Sequence, residues 1–520
     1  MKQFAFAVAA LAVCAVFAVS PASAQDMSKK ISPSKILQMA PAIDRTPEQM
    51  DAFDATAAPT AEREEPGPRP TMDLALYNQL KQMAERAPHG VRPAPETPAF
   101  LAPSVQKKFV GATECDGPGG CWVPPDVAGA IGKSHFVSVS NDIFEVRSRS
   151  GSLLKTNSLN GFFGYSAQPM FDPRVQYDEE YQRFIVTADA FQESSTVQIL
   201  GLAVSQTSSA TGKWWIYLFN ITGIGGAGSF YDYPMLGMSQ DALLLTANVF
   251  GATAFQGSSL FSVAKARVYN GFGFSVPVFT GLAATLEPAH QLVTDQNPYA
   301  WLAAAPGNSG TIQMYAEGFA ANASSAFIVG PMAVTGVSAY TFPPAAAQPA
   351  ACSGGAKLDS LDNRFQNAGT QSGDFFYQVH TTGDFGFATP RYYIISGLLG
   401  FAPTINTQAD FFSSANSYDF NPSIAAEPNG RFAMTWSATD PVAGVNPSVF
   451  YKNSVTGVLN MFTSASCYNG SGTARWGDYS QTSVDPGSTV PSTLNTDIFW
   501  IDNETVPSVN FWSTEVGKVK

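Results

Sequence analysis

The sequence is poor in histidine and in charged residues, and it lacks a common hydrolase motif. Only 4 of its 520 residues are His, and charged residues make up 13% of the chain. Few histidines are therefore available as the base of a serine triad, and the G-x-S-x-G nucleophile elbow is absent from the sequence. His135 is predicted to lie in a strand and His380 near a hairpin end, where structural roles are favoured. Serine-triad chemistry is thus disfavoured.

Basic patches are also missing from the sequence. The chain carries 29 Lys and Arg against 41 Asp and Glu, which gives a formal net charge of −12. Nucleic acids and anionic lipid surfaces are bound through clustered positive charge, so neither is expected as a partner. The glycines of GIGGAGSF precede no predicted helix, and they do not indicate a phosphate-binding loop.

The apolar start of the chain predicts export. A continuous apolar run from Phe4 to Val19 is followed by Ala22-Ser23-Ala24, which is typical of a signal peptide over residues 1–24. Cys14 lies inside the apolar run, in a poor setting for lipid attachment. No later segment has 18 uninterrupted apolar residues. We expect a secreted or periplasmic protein without a membrane span.

Four cysteines follow the predicted signal peptide, an even number that suits an oxidising compartment. Cys115 and Cys121 flank DGPGG, a loop flexible enough to close a local disulfide. Cys352 and Cys467 are then left to form a second one. A zinc site is the alternative, but the spacing matches no zinc-ligand pattern.

The chain divides into two regions of different composition. Residues 25–102 are rich in Pro, Ala and Glu, and they predict a largely disordered spacer or pro-segment with one short helix over Met72 to Arg86. We do not expect this region to pack. Residues 103–520 are rich in Gly, Ser, Thr, Asn and aromatics, and short apolar runs recur between turn residues. This pattern predicts an all-β domain.

Internal repetition is the strongest signal in residues 103–520. Each unit has an aspartate near its start, then small and apolar residues, a turn and a second apolar strand. The seven units begin at Asp126, Asp172, Asp232, Asp295, Asp362, Asp419 and Asp478. A period of this size predicts a β-propeller of four-stranded blades. Seven blades are predicted, and six or eight would also fit because the fourth and fifth units are faint.

The last unit has room for only three strands. Its fourth strand could come from KKFVGA, which precedes Asp126 in the sequence. Such pairing would join the two ends of the ring and cover an exposed strand edge. We therefore expect the propeller to be closed by a strand from before the first unit.

The repeated aspartates, such as Asp478 in the stretch RWGDYSQTSVDP, could have either of two roles. An aspartate before a strand can accept backbone N–H bonds, and this structural role is favoured for each one taken separately. The innermost strands of a propeller line its channel, however, so the carboxylates could gather at one end and bind Ca2+ or another cation. The candidate ring consists of Asp126, Asp172, Asp232 and Asp478, with Asp419 as a further member.

Several segments occur in an order that resembles a known group of proteins. They are FDPRVQYDEEYQRFIV, GLAVSQTSSATGKWWIYLF, YDYPMLGMSQDALLLTANVF, LDSLDNRF and RWGDYSQTSVDP. Over roughly Pro124 to Asn503 the chain is similar to secreted bacterial proteins described as sialidase-like or BNR-like β-propellers. The resemblance implies a propeller fold and export, and it brings no agreed activity. After LDSLDNRF this chain keeps His380 but lacks the basic residues typical of the group.

A sialidase-type mechanism would need an arginine cluster, a tyrosine nucleophile with a carboxylate beside it, and a separate acid. The repeated S-x-D-x-G-x-T-W turns of true sialidases are absent from the sequence. Bridges to an Asp of a neighbouring blade are the favoured role for the arginines. The candidates are Arg174, Arg364 and Arg475 for the cluster, and Tyr479 with Glu504 or Tyr233 with Asp232 for the nucleophile and base.

Two functions remain open from the sequence. The favoured one is a non-catalytic, monomeric propeller that binds an extracellular glycan or protein through the loop face at one end of its channel. Its candidate binding residues are Arg364, Asp126, Asp419 and the aromatic Trp214. The alternative is a glycoside hydrolase of sialidase-like type. Its weak catalytic candidates are Asp478, Tyr479, Arg475, Arg174, Asp172 and Asp232.

Overall fold

The structure is a computed structural model, and it describes most of the chain after residue 29. The described residues are 30–57, 63–64, 67, 69–92, 102–190, 197–252, 254–308, 310–487 and 497–520. The predicted signal peptide and Cys14 lie outside them. Within the described ranges, no helix is both long and apolar enough to cross a membrane.

Strand pairing in the described residues forms seven successive four-stranded antiparallel groups. The first three are β7–β10 (Ala128–Ile131, His135–Ser140, Ile143–Ser148, Leu153–Ser158), β11–β14 (Met170–Asp178, Arg183–Ala190, Ile199–Ser205, Trp214–Asn220) and β15–β18 (Phe230–Met238, Ala242–Phe250, Phe255–Ala264, Phe274–Leu282). The fourth is β19 with β21–β23 (Glu287–Pro288, Tyr299–Ala304, Gln313–Gly318, Phe327–Ala333), and β20 (His290–Gln291) continues from β19.

The later groups follow the same plan. They are β26–β29 (Thr370–Ser372, Phe375–Asp384, Phe387–Ser396, Thr404–Asp410), β30–β33 (Tyr418–Ala426, Phe432–Asp440, Val445–Asn453, Leu459–Thr463) and β35–β37 (Gln481–Val484, Phe499–Ser508, Phe511–Val519) with β5 (Val105–Thr113). The short remaining elements are β6 (Trp122–Val123), α3 (Leu159–Phe163), α4 (Lys265–Val268), β24 (Ala346–Ala347), α5 (Ala350–Ser353), β25 (Lys357–Leu358) and β34 (Thr473–Ala474).

The first strands of the groups form a closed ring. Strands β7, β11, β15, β19–β20, β26, β30 and β35 contact one another in chain order, and β35 contacts β7. Parallel hydrogen bonding links β15 to β20 and β20 to β26 around the axis. This arrangement is that of a β-propeller, and the predicted all-β propeller fold is confirmed. The blade number stays a prediction, although seven groups are seen in the described residues.

The hydrophobic core lies between neighbouring groups rather than at one centre. Ile185 and Leu202 of the second group pack in one cluster with Leu243 and Val263 of the third. The same arrangement joins the seventh group to the first through Trp500 and its neighbours. Strands such as β16 and β31 are buried along their whole length because both faces are covered by adjacent sheets. Stacking therefore supplies the core that a single group lacks.

The predicted closure of the ring is confirmed. Strand β5 pairs antiparallel with β37, and Val110 lies opposite Glu515. Residues from before the first group thus complete the last one. The exposed edge that β37 would otherwise present is covered.

Three inner strands carry a bulge at the same point. Asp172, Tyr233 and Asn421 have φ values of 50°, 61° and 51°, and each precedes a proline. The strand register shifts at each of these positions. Asp232 and Asp419 therefore do not occupy the position of Asp172, because they lie one and two residues before their own bulges. The aspartate count from the sequence is out of step with the structural repeat.

The fourth sequence unit is also misplaced. Asp295 lies after β20 and before β21, whereas the inner strand of that group is β19–β20. The reason is that Glu287–Gln291 contains no aspartate to mark it. The predicted start of the fourth unit therefore lies after the inner strand instead of at its beginning.

The N-terminal region differs from the predicted disordered spacer over its described part. Its elements are β1 (Lys30–Ile31), β2 (Lys35–Met39), β3 (Ile43–Arg45), α1 (Pro47–Asp54), β4 (Arg63–Glu64) and α2 (Leu74–Glu85). Strands β1, β2 and β3 pair with the outer edges of the fourth, third and second groups. Met50 of α1 is fully buried. Unpaired outer edges supply the hydrogen bonds that this segment could not make alone.

Residues 69–92, here called the strap, cross the end of the propeller where the inner strands begin. Lys81 donates from Nζ to the Leu361 carbonyl oxygen at 2.6 Å, ahead of the fifth group. The Gly90 N–H donates to the Phe385 carbonyl oxygen at 3.0 Å, and His89 accepts from or donates to the Tyr418 hydroxyl at 3.0 Å. The strap therefore joins several groups across one end of the channel.

Both predicted disulfides are confirmed. Cys115 is bonded to Cys121, and Cys352 is bonded to Cys467. The second bond lies beside the small sheet of β24, β25 and β34, which connects residues before the fifth group with residues after the sixth. It thus ties together two loops that are distant in sequence.

Candidate functional site

The stretch RWGDYS, at residues 475–480, meets the first group at the end of the channel. The Asp478 backbone N–H donates to Asp126 Oδ1 at 2.5 Å. Asn141 Nδ2 donates to Asp126 Oδ2 at 2.7 Å, and the Asn141 side-chain oxygen accepts the Asp172 N–H at 2.9 Å. Asp126 Oδ1 therefore joins the last group to the first, and Oδ2 holds Asn141, which bonds to the second group.

Tyr479 lies in a packed contact with Asp172 and Arg174. Its hydroxyl donates to Asp172 Oδ2 at 3.0 Å, and the Arg174 guanidinium lies 3.2 Å from the centre of its ring. The ring of Tyr233 meets Tyr479 edge-on, with centroids 5.0 Å apart. These residues, together with Asp126, Asp232 and Asp478, are called the mouth cluster below.

The three candidate arginines are all engaged in hydrogen bonds or ion pairs within the protein. Arg174 donates to the carbonyl oxygens of Pro234 at 3.1 Å and Gln366 at 2.9 Å, which belong to the third and fifth groups. Arg364 pairs with Asp362, and Arg475 Nη2 lies 2.8 Å from Asp478 Oδ1. The last two pairs form within one unit rather than with a neighbouring blade, because the partner is two or three residues away in sequence.

The proposed tyrosine and base pairs are placed differently by the structure. Glu504 accepts the Gly477 N–H at 2.9 Å and the Tyr468 hydroxyl at 3.2 Å, whereas Tyr479 bonds to Asp172. Asp232 accepts the Tyr233 backbone N–H at 2.9 Å and not its hydroxyl. Both predicted pairings are therefore wrong: Glu504 accepts from other donors, and Asp232 and Tyr233 point their functional atoms apart at the bulge.

Burial raises the pKa of the Asp172, Asp232 and Asp478 carboxyls and so makes them harder to ionise. Burial raises the pKa of Asp478 to about 7; the Arg475 charge opposes this shift and the Asp126 charge adds to it. The pKa of Asp172 is raised well above its ordinary value by burial and by Asp126, Asp232 and Asp478. The Tyr479 pKa is likewise raised by burial and by Asp172. A nucleophile needs a phenol that ionises more easily, and the shift here is opposite.

Glu287 is a member of this region that the sequence did not single out. It is fully buried on β19, and neither carboxylate oxygen has a hydrogen-bond partner in the described structure. Burial raises its pKa to about 8, and the nearby Arg174 charge acts in the opposite direction. The inner strand of the fourth group has no aspartate, and the Glu287-Pro288 pair at its start is the sequence feature that could have identified it.

Two of the predicted binding residues lie away from the mouth cluster. Asp419 accepts from the Ser413 N–H at 2.8 Å and from Trp436 Nε1 at 2.9 Å. Trp214 is fully buried, and its Nε1 donates to the Ala210 carbonyl oxygen at 3.1 Å. Trp214 packs edge-on against Phe144 in the core between two groups, so this candidate binding residue is not accessible to a ligand.

The candidate cation ring is only partly assembled. The charges of Asp126, Asp232 and Asp478 all raise the pKa of Asp172, so the four carboxyls lie in one region. Among the described residues, however, no group of three or more His, Cys, Asp or Glu is placed to hold a metal ion. The carboxylate oxygens instead accept hydrogen bonds from the protein, as the contacts of Asp126 show.

The strap covers this end of the channel. The Arg69 N–H donates to Asp232 Oδ2 at 3.4 Å, and the Arg69 guanidinium lies over the Phe230 ring at 4.8 Å. Tyr77 packs edge-on against Phe342, and its pKa is raised by burial and by Asp362. The relative exposures beneath are 1% for Asp478, 0% for Tyr479, 1% for Asp172, 5% for Arg174 and 7% for Asp232.

The opposite end of the channel opens into a small cavity. Its volume is about 60 Å³, and inner-strand residues such as Val175, Thr370 and Gln481 line it. This space suits a few water molecules and lies well below the roughly 300 Å³ of small ligand pockets. A sugar unit is too large for the channel from this side.

Comparison with known proteins adds solved structures of low similarity. No protein-family model matches the sequence, and no curated protein matches it. An α-L-arabinanase of Penicillium chrysogenum is 12% identical, with 70% of this chain and 99% of that chain covered and a TM-score of 0.35. A Trypanosoma rangeli sialidase mutant is 10% identical, with 83% and 59% covered and a TM-score of 0.32. At these values the likeness indicates neither substrate nor activity.

Proposed function

We propose that this protein is a secreted or periplasmic, monomeric β-propeller that binds an extracellular protein or glycan and does not transform it. The binding face is the end of the channel that the strap crosses. The observation that carries the proposal is the burial of five of the six candidate catalytic residues, with exposures of 7% or less, while the side chain of the sixth, Arg475, is 10% exposed. A hydrolase needs an acid and a nucleophile in reach of substrate, whereas a binding face needs only shape and exposed polar groups.

The chemistry of the mouth cluster supports the same proposal. Tyr479 donates to Asp172, and burial and the Asp172 charge raise the pKa of its phenol, which is opposite to what a tyrosine nucleophile needs. Arg174 is committed to main-chain oxygens of two other groups and is not free to clamp a substrate carboxylate. These contacts fit a structural hub at the axis.

The test is a search for turnover. The protein is incubated with sialylated, acidic and neutral polysaccharides in the presence of calcium, and the products are measured by mass spectrometry. We expect no released sugars, while direct binding assays with the same panel and with peptides detect the ligand. Sugars that are released by the native protein and by an Asp44→Asn control, but not by a folded Asp478→Asn variant, would overturn the proposal.

One observation favours a glycoside hydrolase of sialidase-like type as the second candidate. Tyr479 and Asp172 are hydrogen-bonded at 3.0 Å, with Arg174 against the tyrosine ring. The Asp478 carboxyl, with a pKa of about 7, would then be the acid. This function would require the strap to leave the mouth cluster, so turnover should appear only when residues 69–92 are displaced.

A further inference from the structure

The strap ends in a deep pocket that holds one arginine side chain. Arg92 is 3% exposed, and its guanidinium lies 4.2 Å and 4.7 Å from the ring centres of Phe387 and Phe412. Asp419 Oδ2 lies 3.8 Å from Nη1. The hydrogen-bond acceptors are the carbonyl oxygens of Ser417 (2.8 Å), Ser414 (3.3 Å) and Ala388 (3.3 Å) and the Thr389 hydroxyl (2.6 Å).

This pocket is matched to a guanidinium rather than to any cation. Four acceptors surround the two terminal nitrogens, and two aromatic rings lie within 5 Å of the guanidinium carbon. A lysine ammonium is a compact charge that cannot use such a forked set of acceptors. The pocket walls belong to the propeller, on β28 and around the start of β30, and not to the strap.

The residues before Arg92 are held by a short groove. The His89 ring stacks on Phe387 with centroids 4.4 Å apart, and its Nε2 lies 3.0 Å from the Tyr418 hydroxyl. A Cβ at Gly90 would lie 2.6 Å from a Phe385 ring carbon, so the chain passes close to that ring. Residues 87–92 are neither helix nor strand. The groove therefore accommodates an irregular peptide that ends in arginine.

Helix α2 of the strap buries little apolar surface and is held by polar contacts such as that of Lys81. Helix α2 buries only Ala84, while Leu74 is 61% and Met83 is 60% exposed. Few buried apolar contacts mean that a segment opens at low free energy compared with the propeller. A segment with one deep anchor and a shallow remainder can be exchanged for another chain.

We infer that the Arg92 pocket and its groove form a binding site for an arginine-bearing, irregular peptide of a partner protein, which the strap occupies as a competitor from the same chain. This inference rests on the proposed function, because it names the partner class for the strap-covered face. The negative charge of the chain, −12, favours a basic partner segment.

Competition by the strap sets the affinity that a partner experiences. A tethered segment acts at an effective concentration of the order of millimolar, so a free peptide meets a site that is mostly filled. The apparent dissociation constant rises by the inverse of the fraction of open sites. Weakening the strap without touching the pocket should therefore tighten peptide binding.

The experiment measures fluorescence anisotropy of a labelled peptide with the sequence of residues 83–92. With the full chain carrying Arg92→Ala, we expect binding at least about tenfold tighter than with the native protein. The matched control is Arg86→Ala, an exposed arginine on the same strap, which should behave like the native protein. A peptide in which Arg92 is replaced by Ala should not bind to any of these proteins.

Two further measurements keep the result decisive. Hydrogen exchange reports whether residues 69–92 open in the Arg92→Ala protein, and a Tyr77→Ala, Arg92→Ala double variant opens them if the single change does not. Absence of peptide binding by both folded variants overturns the inference. In that case, binding of a polysaccharide or of another peptide by the native protein would leave the proposed function standing, so the two failures are distinguishable.

Discussion

At the scale of single residues, left-handed backbone positions before proline shape the inner strands. Asp172, Tyr233 and Asn421 each sit at such a bulge. Asn and Asp tolerate this conformation better than most residues because their short side chains bond locally. Asn421 Nδ2 donates to the carbonyl oxygens of Gly477 at 3.0 Å and Tyr479 at 3.1 Å. The bulge thus turns the side chain toward the next group and couples neighbouring units.

Buried carboxyls give the molecule a predictable pH dependence. Glu317 on β22 is 1% exposed, and its two oxygens accept from Ser262 Oγ at 2.6 Å and 2.7 Å. Burial raises its pKa from 4.5 to about 8. The folded state then holds its proton more tightly than the unfolded state, so stability falls as pH rises from about 4.5 to about 8.

We expect Glu317→Gln to reduce this fall. The variant should gain roughly 3 °C or more in Tm, relative to the native protein, when pH is raised from 5 to 8. Thermal unfolding followed by circular dichroism at both pH values measures the effect. The control is Glu180→Gln, an exposed residue, which should leave the pH profile unchanged. A parallel shift of both profiles would contradict the assignment to Glu317.

Contacts between residues close in sequence could be predicted from the sequence, whereas contacts that depend on the closed ring could not. Cys115 and Cys121 were paired because a flexible loop of five residues separates them. The partner of Tyr479 was missed because Asp172 is 307 positions away, and only the closed ring brings the two together. Asp232 looked equivalent to Asp172 by residue type, although the bulge places Tyr233 at that position.

At the scale of elements, β5 is the strand on which ring closure depends. It supplies the outer edge of the group formed by β35–β37 although it precedes the first group in sequence. The pairing therefore connects the two ends of the propeller through main-chain hydrogen bonds. Long-range closure of this kind holds the first and last units in place without a covalent link.

We expect deletion of Ser104–Ala112 to lower Tm by about 5 °C or more and to broaden the unfolding transition. The reason is that β37 becomes an open edge and the interface between the last and first groups loosens. Differential scanning calorimetry measures both quantities. Lys107→Ala, which changes one exposed side chain of β5, serves as the control. A melting curve identical to that of the native protein would refute the closure.

The N-terminal elements show why composition alone was insufficient. Strands of two to five residues cannot be seen as a period, and their partners lie more than 150 residues away at the edges of β14, β18 and β23. Proline and alanine suggested disorder because the segment has no core of its own. Its order comes from hydrogen bonds that the propeller offers.

At the scale of the whole molecule, the ring places the starts of all inner strands at one end. This was foreseeable from the repeats, and so was the gathering of carboxyls there. The sequence did not reveal that donors of the protein occupy those carboxyls. Asp126 accepts from Asn141 and from the Asp478 N–H, and Asp478 pairs with Arg475. The axis is thus held by hydrogen bonds between groups and by an ion pair within the last one.

The hypothesis that the gathered carboxylates bind a cation comes from the sequence, and it can be tested on the intact protein. A cation that binds only the folded state raises Tm, and its removal by a chelator lowers Tm. We expect EDTA to leave Tm unchanged because both oxygens of Asp126 and Oδ2 of Asp172 already accept hydrogen bonds from N–H and O–H donors. A fall of more than about 3 °C, restored by added calcium and absent in an Asp172→Asn variant, would instead establish a cation at the mouth cluster. The same calcium titration on Asp44→Asn, which lies on the rim at β3, controls for binding elsewhere.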